Sequence, residues 1–171
     1  MRRISLIVLM TLLLAPAAAW ADRRASGDGS LMVSNANARV INVKGNGLIF
    51  GHIDQGTVTV IEYDAADTAA PQISGSAGRV VGNAVVYTGS DLRFLFPNGH
   101  YVLRLEGAGI DISAVGSGKV MAAGLGTLDD GSLAVNGGKS QDLGVLSVSA
   151  SFGGSKSAAT AAAPAGLARG H

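Results

Sequence analysis

The chain has 171 residues, with 25 glycines, no cysteine, and 13 basic against 12 acidic residues, which gives a formal net charge of +1. Charged residues make up 15% and hydrophobic residues 47%, a balance that excludes an intrinsically disordered chain, which is rich in charge and poor in apolar residues. Without cysteine, a disulfide-stapled scaffold, a cysteine zinc site and a thiol nucleophile are excluded as well.

The first segment, residues 1–21, has the three parts of a secretory signal peptide. Arg2 and Arg3 form the basic start, an apolar run covers 4–14, and an Ala-Trp-Ala cleavage site ends at Ala21. The apolar run is too short for a spanning helix, which needs roughly 20 residues. We therefore predict an exported protein, periplasmic or extracellular, with no transmembrane anchor after cleavage.

Removal of the signal peptide changes the charge of the chain. The mature form has 11 basic and 12 acidic residues, because Arg2 and Arg3 leave and no acid does, so its net charge is −1. Nucleic-acid binding requires a basic surface. The mature sequence therefore predicts no nucleic-acid partner.

Residues 22–152 are predicted to form a single β-domain. Short apolar runs alternate with polar residues and are separated by glycine, which is typical of strands joined by closely spaced turns. No stretch of this region has the 3.6-residue period of an amphipathic helix. The predicted strands are Ser30–Ser34, Ala38–Lys44, Leu48–Ile53, Thr57–Tyr63, Arg79–Thr88, Asp91–Phe96, Tyr101–Glu106, Ile110–Val115, Lys119–Ala122, Ser132–Val135 and Gly144–Ser151.

Segments 39–58 and 101–120 resemble each other without a gap, at an offset of 62 residues. Their glycines match in three places, and the apolar positions between the glycines match too. Because glycine adopts backbone angles that other residues resist, both segments predict the plan strand, G-x-G turn, strand, x-x-G turn, strand. The match indicates an internal duplication. The matched glycines are Gly45 with Gly107, Gly47 with Gly109, and Gly56 with Gly118.

These observations predict an all-β fold with two candidate architectures. The favoured one is a two-sheet antiparallel β-sandwich, with a pseudo-twofold axis if the duplication extends to the structure. The alternative is a short β-solenoid-like stack, which requires about three or more repeats. Segment 59–100, between the two repeats, is too irregular for a solenoid and favours the sandwich.

The strongest hairpin signal covers 92–105, with Pro-Asn-Gly-His as its turn. If Phe96 pairs with Tyr101, Arg93 lies directly opposite Arg104. Like charges in that position repel unless acids or an anion lie nearby, so both arginines are candidate residues of a ligand- or anion-binding face. The same register predicts one buried apolar face, made of Leu92, Phe94, Phe96, Tyr101, Leu103 and Leu105.

Residues 89–120 resemble a pattern in small exported bacterial proteins of unknown function. Those proteins also join an Arg-Phe hairpin to a segment of the form G-x-G-I-D-I/L-S-A-V-G, which is GAGIDISAVG in this chain. The resemblance implies export and a β-fold, and it implies no chemical activity.

The search for chemistry yields one candidate metal site. Glu62, Asp64 and Asp67 are candidate calcium ligands, because calcium binds several carboxylate oxygens at short spacing. The cluster lacks the glycine of a calcium loop, so we favour a solvated loop. His52 and His100 have no catalytic partner at motif spacing and no G-x-S-x-G motif occurs, so no catalytic residue and no cofactor are predicted.

Residues 153–171 are rich in alanine and glycine and are predicted to form a disordered tail. The whole sequence then predicts an exported, non-catalytic β-domain that is a structural or interaction module of the cell envelope. Its partner would be another envelope protein or a second copy, bound through edge strands. The alternatives are a small-ligand or anion-binding protein that uses the Arg93/Arg104 face, and an enzyme with an unrecognised site.

Overall fold

A computed structural model describes residues 28–65, 70–127 and 129–154. The predicted signal peptide, 1–21, lies outside these ranges, and so does the predicted tail beyond residue 154. In the described ranges, no helix is long and apolar enough to cross a membrane.

The described residues form eight strands in one open antiparallel sheet, with the main order β2-β4-β1-β5-β8. Of the remaining strands, β3 pairs with β4, and β6 pairs with β1 and β7. The predicted all-β, antiparallel fold is confirmed, whereas a division into two sheets is not. The strands are β1 (Gly29–Ala65), β2 (Gln72–Ser74), β3 (Arg79–Val81), β4 (Ala84–Phe96), β5 (Gly99–Gly124), β6 (Ser132–Val135), β7 (Gln141–Asp142) and β8 (Val148–Phe152).

The two longest strands, β1 and β5, pair with each other in two registers. Val43 of β1 lies opposite Leu103 on one edge and opposite Val120 on the other, and Leu103 also lies opposite Val60. Val60 follows Val43 by 17 residues, and Val120 follows Leu103 by 17 residues. Each strand therefore returns beside itself with the other strand in between, so the sheet is coiled.

The link from β4 to β5 shows the same coiling. Phe96, the last residue of β4, lies opposite Ile49 of β1. Tyr63 lies 14 residues beyond Ile49, a distance of about 46 Å in a straight strand. The rings of Tyr63 and Phe96 nevertheless meet edge to face, with their centroids 5.2 Å apart. The coil of β1 brings these two positions together.

The predicted 92–105 hairpin is wrong in its pairing and right in its buried face. The chain does not reverse after Phe96, because β4 follows β1 as far as Ile49 and β5 continues in the same direction from Gly45. Tyr101 accordingly pairs with Gly45 and Tyr63 instead of Phe96. The residues predicted to form the turn therefore link two segments that run in the same direction, and the hairpin partner of each segment is β1. The six side chains of the predicted inner face are all buried: Leu92, Phe94, Phe96, Tyr101, Leu103 and Leu105.

The predicted turns at the repeated glycines are also wrong, because β1 and β5 run through these glycines without a break. The glycines instead face one another across the sheet, with Gly45 opposite Gly118 and Gly56 opposite Gly107. A Cβ at any of the four would collide with a backbone carbonyl oxygen of the facing strand. Glycine therefore permits the close backbone approach of the coiled strands.

One polar side chain, Asp130, is buried among the described residues, at 3% exposure. Its carboxylate accepts hydrogen bonds from the backbone N–H groups of Gly126 and Thr127 and from the Thr127 hydroxyl. The Thr127 hydroxyl and then these N–H groups hold the pKa of Asp130 below its usual value, against the opposing effect of burial. Asp130 thus closes the loop between β5 and β6.

Candidate functional site

The outward face of the sheet carries an apolar strip at its centre. Met32, Ser113, Phe50 and Leu95 lie side by side on neighbouring strand segments of β1, β5, β1 and β4. Met32 is 56% exposed and Phe50 is 45% exposed. Both line a shallow depression of about 460 Å³. The coil of β1 creates this strip, because it places two segments of one strand on either side of β5.

A charged cluster borders the apolar strip along the next row of the sheet. His52 lies opposite Arg93 on one side and opposite Asp111 on the other. Its Nε2 is 2.9 Å from Asp91 Oδ1, and its Nδ1 is 3.6 Å from Asp54 Oδ1. The guanidinium of Arg93 donates to the same Asp91 oxygen over 3.3 Å. One carboxylate therefore holds both a histidine and an arginine.

Asp91 has an uncommon backbone conformation at the point where the β1–β4 ladder is interrupted. Its φ of 50° lies in the left-handed region, which few residues other than glycine adopt and which aspartate tolerates. Gln55 pairs with Ser90 and Ile53 pairs with Leu92, while Asp91 has no ladder partner. The interruption accompanies the contact of the Asp91 carboxylate with the His52 ring and the Arg93 guanidinium.

The hydrogen bonds of this cluster centre on the Asp91 carboxylate. The hydrogen bond from His52, followed by those from Arg93, holds the pKa of Asp91 below its usual value. Both ring nitrogens of His52 face carboxylates, Asp91 and Asp54. In the described part of the chain, no hydrogen bond joins His52 to a hydroxyl that it could activate as a nucleophile. The cluster therefore presents fixed charges beside an apolar strip.

Asp91→Asn is expected to reduce the loss of stability in acid. Because the folded-state pKa of Asp91 is lowered, its stabilising effect is complete above the unfolded-state pKa of about 3.9 and is lost as the pH falls through the folded-state value. Asparagine tolerates the same backbone conformation, so the change removes mainly the charge. Urea unfolding of both proteins between pH 6 and pH 2 tests this. Asp142→Asn, at an exposed position, is the control, and equal acid profiles for wild type and Asp91→Asn would contradict the expectation.

The two arginines proposed as a binding pair do not face each other. They lie on β4 and β5, and a segment of β1 separates these strands. Arg93 binds Asp91 and Arg104 binds Glu106, in each case a carboxylate two residues away on its own strand. The like-charge contact from which an anion site at Arg93 and Arg104 was inferred is therefore wrong, because it depended on the hairpin register.

The structure places only part of the predicted calcium cluster. Glu62 Oε1 is 3.6 Å from His100 Nδ1, and Asp64 lies opposite His100 in the β1–β5 ladder. Asp67 lies outside the described residues. Among the described residues, no three His, Cys, Asp or Glu side chains are grouped so that they could hold a metal ion. The three-carboxylate site itself stays a prediction.

Sequence reasoning missed the cluster around His52, for which it found no partner at motif spacing. Asp91 is 39 positions away in the chain, and no motif spacing connects the two residues. The available signal was the alternation between Ile49 and Ile53, which predicts that Phe50 and His52 share the outward face. Which charged residues join them depends on the register between strands, and the sequence pattern does not contain that information.

No protein-family model, no curated protein and no solved structure matches this chain at a significant level. The resemblance of residues 89–120 to small exported proteins accordingly stays a prediction from sequence.

Proposed function

We propose that the chain is an exported, non-catalytic β-domain that acts as an interaction module of the cell envelope. The proposal depends on one observation, the exposed strip around Met32 and Phe50 with charged side chains along its border. Protein interfaces are enriched in aromatic, methionine and arginine residues at their cores and are surrounded by a polar rim. The signal-peptide pattern of residues 1–21 supports export.

The partner that this face fits is another envelope protein with a complementary apolar projection. Phe50 and Met32 would supply the contact area that becomes buried. Arg93 and Asp91 would supply the rim charges, which select orientation more than they add affinity. Because these residues lie on paired strands of one sheet, the face is preorganised, which reduces the entropic cost of association.

The finer architecture belongs to the same proposal. Opposite walls of the coiled sheet would pack as the two layers of a sandwich, with segments 39–58 and 101–120 as duplicated units. Their pairing supports this, since Gly45 lies opposite Gly118 and Gly56 lies opposite Gly107.

A photo-crosslinking amino acid at position 50 is expected to capture one discrete envelope protein in producing bacteria. The same group at Ile61, an exposed apolar position of the same strand, is the matched control and should capture none. Phe50→Ala should weaken the captured complex at least about tenfold, as expected for an aromatic anchor, with little effect on folding. A chain retained in the cytoplasm, or equal crosslinking at positions 50 and 61, would contradict the proposal.

A further inference from the structure

A like-charge pair exists on the outward face, in a place that the sequence did not predict. Lys44 of β1 and Lys119 of β5 lie directly opposite each other in the ladder, and both are exposed. Side chains in this relation have Cβ atoms about 5 Å apart, and two like charges there repel. Strand register therefore places two lysine side chains side by side on the outward face of the sheet.

Neither ammonium has a carboxylate partner. Within the described residues, no ion pair joins Lys44 or Lys119 to an aspartate or glutamate; the basic residues that do form ion pairs are His52, Arg93, His100 and Arg104. Arg104 lies one row away, opposite Asn42, and its charge is compensated by Glu106. The repulsion between the two lysines is thus left uncompensated by nearby protein groups.

The surroundings of the pair supply neutral hydrogen-bond donors and no acid. Lys44 and Lys119 line a depression of about 500 Å³ together with Asn42, Ser149 and Ser151. Ser151 of β8 lies directly opposite Lys119. Hydroxyl and amide groups can donate to an anion, and ammonium groups form the stronger, charge-assisted hydrogen bonds. Val120, Met121 and Ala150 also line the depression.

We propose that this depression binds an oxyanion of the phosphate type, with Lys44 and Lys119 on either side of it and Ser151 as a neutral donor. An anion between the lysines turns a repulsive contact into two attractive ones. The site is distinct from the strip around Phe50, and it does not depend on the interaction proposed there. The chemistry recognised is that of the phosphate group, which free inorganic phosphate and the headgroup of an anionic lipid share.

The test is a titration of the purified protein at low ionic strength, where charge interactions are least screened. One arm uses inorganic phosphate, followed by calorimetry and by the rise in Tm that a ligand of the folded state produces. The other arm uses sedimentation with phosphatidylglycerol vesicles, compared with phosphatidylcholine vesicles. Binding in the first arm alone assigns a free anion, and binding in the second arm assigns a lipid headgroup.

Lys44→Gln should raise the Kd of the bound probe about tenfold, and Lys44→Gln with Lys119→Gln about a hundredfold. Lys139→Gln, at an exposed position of the loop before β7, is the matched control and should leave the Kd unchanged. Without any probe, the double variant should have a higher Tm than the wild type at low salt, because the repulsion is gone. Absence of binding to both probes, or equal binding by the double variant, would overturn the proposal.

Discussion

Gly107→Ala should lower the free energy of unfolding by about 4 kcal/mol, from backbone strain and overpacking together. Gly107 has a φ of 139°, a conformation that residues with a side chain resist. A Cβ there would also collide with the carbonyl oxygen of Gln55 and lie 2.7 Å from the Cα of Gly56. Both are backbone atoms of the facing strand, so neither can rotate away as a flexible side chain would.

Urea unfolding of Gly107→Ala and Gly144→Ala distinguishes the effect of close contact between strands from a general effect of replacing glycine. A Cβ at Gly144 has no atom within 4 Å, so that variant should change the free energy of unfolding by no more than about 0.5 kcal/mol. If Gly107→Ala is as stable as Gly144→Ala, then β1 and β5 do not pass as closely as the coiled pairing requires.

The glycine pairs show which part of this fold could be predicted from the sequence. The match between segments 39–58 and 101–120 identified Gly56 and Gly107 as special positions, and they are. Their role was assigned to turns, because glycine most often supplies turn angles. A glycine that permits close contact between strands looks the same in a sequence as a glycine in a turn. The two roles can be distinguished only when the facing strand is known.

Strand positions were predictable where alternation is strict. The predicted strand Ser132–Val135 is β6 to the residue, and the alternating positions of 92–105 gave the buried face correctly. The predicted strand Arg79–Thr88, in contrast, is two strands, because Gly82, with a φ of 64°, reverses the chain between β3 and β4. Valines lie on both sides of this turn, so the hydrophobic pattern did not reveal the break between the two strands.

The sequence pattern could not predict which distant strands pair with each other. The hairpin from β4 to β5 was the local choice, since it would close the shortest loop. Instead, β4 and β5 follow β1 in the same direction, and the coiled β1 pairs with both of them. Every error about the candidate site follows from this one, because the register decides that Arg93 faces His52 and that Lys44 faces Lys119.

Tyr101→Phe should raise the free energy of unfolding by about 1 kcal/mol, whereas Tyr101→Ala should lower it by about 4 kcal/mol. Tyr101 is fully buried, and among the described residues its hydroxyl has no hydrogen-bond partner. A buried hydroxyl without a partner has lost its hydration and gained nothing, so removing only the oxygen relieves that cost. Removing the ring leaves a cavity where Tyr101 lies between Gly45 and Tyr63.

The alkaline limb of the stability profile provides a second measurement on the same side chain. Burial raises the pKa of Tyr101 above its usual value of 10.0. The free energy of unfolding is therefore not affected by ionisation of this group below pH 10. It falls as the pH rises above 10, because the unfolded chain ionises while the folded chain does not. The loss attributable to this group is about 1.4 kcal/mol per pH unit.

Urea unfolding of wild type and Tyr101→Phe between pH 8 and pH 11.5 should therefore give curves that diverge above pH 10, with the variant the more stable. Tyr63 and Tyr87 are present in both proteins, so their titration cancels in the difference. Parallel curves would mean that the Tyr101 hydroxyl reaches solvent. A variant less stable than wild type at pH 8 would mean that the hydroxyl has a hydrogen-bond partner in the folded chain, which the buried position between Gly45 and Tyr63 does not provide.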